Sequence, residues 1–150
     1  MRLLKMMFAL PIALSLGISA AVAGDYGTPA EAKAMLEKAV AELKADESAA
    51  LAKFSSGEGG FKDRDLYPFC GGPDGNFTAH PKLAGKPLKG LQDKGNPPKD
   101  LGDAIYASAV EGKISEVTYQ WPRPGETEPR QKVAYVTKVG DQTCAVGYYE

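Results

Sequence analysis

Ser115-Glu116-Val117-Thr118-Tyr119-Gln120-Trp121 is the stretch whose reading decides the fold. Ser115, Val117, Tyr119 and Trp121 alternate with Glu116, Thr118 and Gln120. Successive side chains of a strand point to opposite faces, so this segment predicts a strand with one aromatic, apolar face and one polar face. Pro122-Arg123-Pro124-Gly125 breaks the run into a loop. Lys132 to Val139 reads as the next strand, Gly140-Asp141 turns the chain, and Thr143 to Tyr149 reads as the last. Consecutive strands joined this closely predict an antiparallel meander.

Working upstream, Asp100 to Glu111 carries Leu101, Ala104, Ile105, Ala107, Ser108 and Val110, the spacing of a short helix stopped by Gly112. His80 to Pro98 is rich in Pro and Gly and reads as loop. Leu66 to Cys70 reads as a strand, with Pro68 arguing for an edge or an irregular start. Gly71-Gly72-Pro73-Asp74-Gly75 is a turn, and Asn76 to Ala79 returns from it. Before these lies a single long helical pattern. Thr28 is placed as N-cap, Pro29 suits the first helical position, and Glu31 completes a capping box. Apolar residues recur from Ala32 through Leu43 to Phe54, and Gly57, Gly59 and Gly60 end the pattern. One continuous helix of this span would be about 40 Å long at about 1.5 Å per residue. Its stripe reads as a face packed on a sheet, or alternatively as a homodimer contact through this N-terminal helix. The order of elements predicts an α+β domain with one central antiparallel sheet.

Arg2 and Lys5 precede an apolar run from Met6 to Ala20, and Ala21-Val22-Ala23 follows with small residues. This is the three-part pattern of a secretory signal, with cleavage expected after Ala23. The apolar run is shorter than the roughly 20 residues that span a bilayer. Residues 1–23 are thus assigned to a signal peptide and residues 24–150 to one domain, exported to the periplasm. Of the 18 basic residues, Arg2 and Lys5 fall in the leader, leaving 16 against 19 acidic residues, a net charge of -3. No Lys/Arg run stands out, which argues against nucleic acid as a partner.

Cys70 and Cys144 both fall in the exported part. In an oxidising compartment such a pair is expected to form a disulfide. With no Cys-x-x-Cys and His80 as the lone histidine, no metal site, haem or other cofactor is expected.

Tyr67, Gly75, His80-Pro81, Leu83, Gly85-Lys86, Leu91, Asp93 and Gly95 fall in a familiar order, continued by Tyr119-Gln120-Trp121-Pro122, Lys132, Tyr135-Val136 and Gly147-Tyr148. The ordered set resembles a single Cache domain, the extracellular sensor of many bacterial chemoreceptors and histidine kinases. The resemblance covers about Ala30 to Tyr149. It implies a PAS-like fold, with a long N-terminal helix beside a five- or six-stranded sheet. It also implies a pocket for small molecules, often short carboxylates or amino acids, and no catalysis. This chain lacks the membrane helices and output domain of the usual receptor, so signalling would run through a membrane receptor or kinase. PAS-like strand order makes the first and last strands neighbours, which would bring Cys70 and Cys144 together.

The resemblance places His80 at the pocket edge as a ligand contact, against plain packing or a loop hydrogen bond, and its ordinary pKa near 6.5 would let it switch charge in a mildly acidic periplasm. Tyr119 and Trp121 share a strand face and suit either a core or an apolar wall with polar tips. Lys132 is the candidate counter-charge for an anionic ligand, against a solvated edge lysine. Tyr135 is a further candidate, although alternation sets it on the opposite face from Lys132 unless the strand bends. Tyr67 and Tyr148 are placed at the cavity or in the core. Arg123 and Arg130 bracket the Pro/Gly loop and read as surface residues. Three classes of function remain: a periplasmic ligand-binding sensor, a structural or dimerisation module without a ligand, and an enzyme. The last lacks a nucleophile–base pair or phosphate-binding loop.

Overall fold

The structure is a computed structural model that describes residues 24–150; the signal-peptide reading falls on residues 1–23 and lies outside the described residues. The expected long helix is two. Helix α1 spans Pro29–Ala45 and α2 spans Glu47–Ser56. The break is at Asp46, whose extended backbone (φ -157°, ψ 99°) ends α1, while its side chain accepts from the Ala49 N–H and caps α2. A single Asp with a free carboxylate competes well for the first N–H groups of a new helix. Apolar periodicity did not register it, because the stripe continues through the break. The bend has a use: α1 lies against the C-terminal strands, while α2 leans over the N-terminal ones.

The strands are β1 (Pro68–Gly71), β2 (Phe77–Ala79), β3 (Ser115–Pro122), β4 (Pro129–Val139) and β5 (Gln142–Tyr149), with the short helix α3 (Leu101–Ser108) between β2 and β3. They form one antiparallel sheet in the order β2-β1-β5-β4-β3. The α+β, PAS-like architecture expected of the sequence is the one found. Strand β1 is interior, and its proline sits at the first position, where the missing N–H is tolerated.

The sheet separates two cores. On one face Ala32, Met35, Leu36, Ala39 and Leu43 of α1 and Ala50 and Phe54 of α2 pack with Cys70, Cys144 and Val146. The stripe that prompted the dimer reading is therefore buried within the chain and is not free to pair with a second copy. Cys70 and Cys144 stand opposite each other in the β1–β5 ladder and form a disulfide. On the other face Phe69, Phe77, Leu88, Ile105, Tyr119 and Val136 form a core beneath the long loop and α3. Among the described residues no helix is long and apolar enough to cross a membrane.

Candidate functional site

Register decides which side chains meet on the loop-covered face. Tyr119 of β3 is directly opposite Lys132 of β4, which is directly opposite Tyr149 of β5. Directly opposed residues share a face, so the three form one row across the sheet. Gly147 lies beside that row. A Cβ there would come within 2.5 Å of Lys132 Cε, so only glycine leaves room for the lysine stem to lie flat on β5. Lys132 is 1% exposed. Its Nζ donates to the Tyr67 hydroxyl at 3.1 Å and lies 4.4 Å and 4.7 Å from the ring centroids of Tyr67 and Tyr149. No carboxylate of the described residues forms an ion pair with it. Burial pulls its pKa from 10.5 down to about 7, against the opposing pull of Asp65.

His80 follows β2 and packs edge-on to Tyr67 and Phe77. Its Nδ1 accepts from the backbone N–H groups of Lys82 and Leu83, at 2.9 and 3.1 Å. Neutral His80 therefore carries its proton on Nε2. Burial, then the charges of Lys132 and Lys82, lower its pKa to about 4. The expected charge switch in a mildly acidic periplasm is thus overturned: between pH 5 and 8 the ring is a neutral hydrogen-bond donor.

An open cavity of about 230 Å³ lies against Tyr67, His80, Leu83, Trp121 and Arg123. It continues past Tyr67, His80, Leu83 and Trp121 into an apolar cleft of about 20 Å³ that Tyr119 also lines, room for about one water. Of the six candidate residues, Tyr67, His80 and Trp121 thus line the outer cavity, Tyr119 lines the inner cleft, and Lys132 sits behind Tyr67. Tyr135 is not with them. Strand β4 runs through it without a bulge, and its ring meets Tyr148 at 5.6 Å on the helix-covered face. Tyr148 is accordingly replaced at the site by Tyr149. The parity was available from the cysteine: Cys144, Val146 and Tyr148 share one face, so Tyr149 takes the other.

Three more residues were missed. Arg123 is not a surface residue: its side chain is 11% exposed and it pairs through Nε with Asp65 Oδ2 at 3.2 Å. Asp65 is itself buried, and the sequence separation of 58 leaves no local signal of the pairing. Asp93 holds the covering loop. Its Oδ1 accepts from Gly95 and Lys99 N–H and its Oδ2 from Gln120 N–H on β3. Burial alone would raise its carboxyl, but these three donors hold it below the ordinary range. That stability is present above the unfolded pKa and is lost as pH falls through the folded one. Asp93→Asn points an amide N–H₂ at one of these donors. It is expected to cost about 2 kcal/mol, read as a lower urea midpoint at unchanged m-value; an unshifted midpoint would refute the loop-anchor role.

A family model described as Cache domain matches residues 32–144. Among solved structures, a methyl-accepting chemotaxis protein from Vibrio parahaemolyticus superposes with a TM-score of 0.64 at 21% identity, over 80% of this chain and 86% of that one. The periplasmic sensor domain of a chemotaxis protein gives 0.57 at 23% identity, over 78% and 86%. A Cache chemosensory domain whose structure concerns carboxylic acid recognition gives 0.51 at 20%, over 78% and 84%. At these identities the likeness is one of fold. No match is found among curated proteins. The family model spans three quarters of the sequence and runs from α1 to β5, and on that ground the chain belongs to the Cache domain family.

Proposed function

We propose that this protein is a periplasmic sensor that binds a small carboxylate or amino-acid-like metabolite in the cavity beside Tyr67, His80 and Trp121. The observation that carries the reading is Lys132, a buried amine with a neutral hydroxyl as its hydrogen-bond partner and no ion-paired carboxylate. A buried charge without a counter-ion is costly, and a bound anion would supply one. Because Lys132 donates to the Tyr67 oxygen, the Tyr67 proton is left to donate elsewhere. His80 Nε2–H is a second neutral donor on the cavity wall, and Trp121 offers an apolar surface. Donors backed by a positive charge and an aromatic wall suit a short carboxylate. The role is binding, not catalysis, and the bound state would pass to a membrane receptor or kinase.

A thermal-shift panel of short carboxylates, amino acids and purines tests this. A ligand at about 100 times its Kd adds roughly 2.7 kcal/mol, which raises Tm by about 8 °C in a domain of this size. The shift is expected among the carboxylates and is lost in His80→Ala and Lys132→Met. A folded protein that responds to no compound would favour the structural module instead.

A further inference from the structure

The segment from Gly24 to Thr28, just ahead of α1, is fastened to the cavity wall by contacts that the ligand reading leaves unused. The Gly27 N–H donates to Asp65 Oδ1 at 2.7 Å. Gly27 is buried, and a Cβ on it would sit 2.1 Å from Leu66 Cγ, so the backbone lies directly on that side chain. Tyr26 stacks on the Arg123 guanidinium, 3.8 Å from ring centroid to Cζ. Arg64 Nη1 donates to the carbonyls of Gly24 and Tyr26, at 3.1 and 2.9 Å. Both arginines line the outer cavity.

Arg123 is held from two sides. Asp65 engages Nε, and the guanidinium Cζ lies 3.8 and 5.0 Å from the ring centroids of Tyr26 and Tyr149. That leaves the two terminal nitrogens for the cavity. A guanidinium fixed in this way presents two parallel donors, the geometry that matches a carboxylate. Asp65, whose two oxygens take Gly27 N–H and Arg123 Nε, is then not free to receive a ligand's ammonium.

We propose that Arg123 receives the ligand's carboxylate in the outer cavity, and that the Gly24–Thr28 segment positions Arg123 so that ligand occupancy and docking of this segment are coupled. The inference rests on the reading of the cavity as an anion site and adds to it the residue that reads the anion and the element that responds. The coupling follows from preorganisation. Any contact that holds the guanidinium in its binding orientation before the ligand arrives raises affinity. Linkage then requires the ligand to tighten the same contact by the same factor. Arg123 is the shared group: the anion takes its terminal nitrogens, Tyr26 takes its face, and Asp65 joins its Nε to the Gly27 backbone. Because α1 starts at Pro29, occupancy would be felt at the start of the helix that crosses the sheet.

Isothermal titration of the protein with propionate, lactate and malonate, paired with amide exchange at Gly27, tests the proposal. At least one acid is expected to bind. Arg123→Gln and Arg123→Lys should each weaken it by about tenfold, since a lysine keeps the charge but not the paired donors. Tyr26 is 50% exposed and does not line the cavity, so Tyr26→Ala leaves core and cavity intact. It should nonetheless weaken binding by about fivefold, a modest coupling, and Tyr26→Phe should restore it. Saturating ligand should slow Gly27 exchange by a similar factor. Binding unchanged in Arg123→Gln would overturn the carboxylate assignment. Binding by the wild type with Gly27 exchange unaffected would overturn the coupling and leave the anion site standing. No binding of any of the three acids would remove the anion reading itself, and this inference with it.

Discussion

Lys132→Met makes the ligand-free protein more stable and ligand binding weaker. The fold tolerates the lysine at a cost, since burial draws its pKa from 10.5 to about 7. At about 1.4 kcal/mol per tenfold change in the proton equilibrium, that difference corresponds to roughly 5 kcal/mol against the charged form. The two aromatic rings that face the ammonium return part of this, at roughly 1 kcal/mol each. A linear apolar side chain of similar length keeps the packing against Gly147 and removes the charge. The net gain is expected to be about 3 kcal/mol at pH 6, or about 10 °C in Tm. The sign with pH is fixed by the two pKa values. Below pH 7 both folded and unfolded chains hold the proton, and the full penalty applies. From 7 to 10.5 the unfolded chain keeps a proton that the folded chain has released, so wild-type stability climbs with pH. The difference between wild type and Lys132→Met should therefore shrink as pH rises from 7 and approach zero only above pH 10.5. A variant less stable than wild type at pH 6 would show that Lys132 is compensated by the protein itself, and the argument for a missing anion would fail.

More of the fold than of the site could be read in advance, because periodicity and parity are local signals whereas the pairings at the site are long-range. The meander was legible because alternation in Ser115–Trp121 has a period that only a strand satisfies, and the turns after it are short. The neighbouring of the first and last strands followed from the resemblance and the cysteine pairing from the oxidising compartment, and the β1–β5 ladder bears both out. The helix break was not legible from periodicity, because Ala50 and Phe54 continue the stripe of α1 while a capping carboxylate at Asp46 reorients the axis. Parity gave the faces correctly: Tyr119 and Trp121 share one, and Tyr135 lies on the face opposite Lys132. Parity applied to Cys144 would also have chosen Tyr149 over Tyr148. Arg123 and Asp65 carry no such signal. Both lie outside the regular strands, and their pairing is a product of the folded sheet bringing the loop after β3 over the segment before β1.

Replacing both Cys70 and Cys144 by Ala is the other large effect, and it should leave binding intact. The bridge closes a loop across a sequence separation of 74. In the chain-entropy model a loop of this length destabilises the unfolded state by about 4 kcal/mol. The position adds to its importance. Strand β1 and its hairpin partner β2 reach the rest of the sheet through β5 alone, so the ladder that the disulfide spans joins the N-terminal hairpin to the C-terminal meander. Without the bridge, that long-range pairing must be closed at full entropic cost. Tm is expected to fall by about 15 °C. Both sulfurs are fully buried against α1 and α2, on the face of the sheet opposite Lys132. A reductant therefore reaches the wild-type bridge only when the protein opens, and the rate of reduction should track unfolding across a urea series. At temperatures where the double variant is folded, its affinity for a bound carboxylate should match wild type, because the bridge and the apolar residues of the cavity wall belong to separate cores on opposite faces of the sheet. A loss of affinity equal to the loss of stability would mean that the two faces of the sheet are not independent, and that the helix layer shapes the cavity through β1.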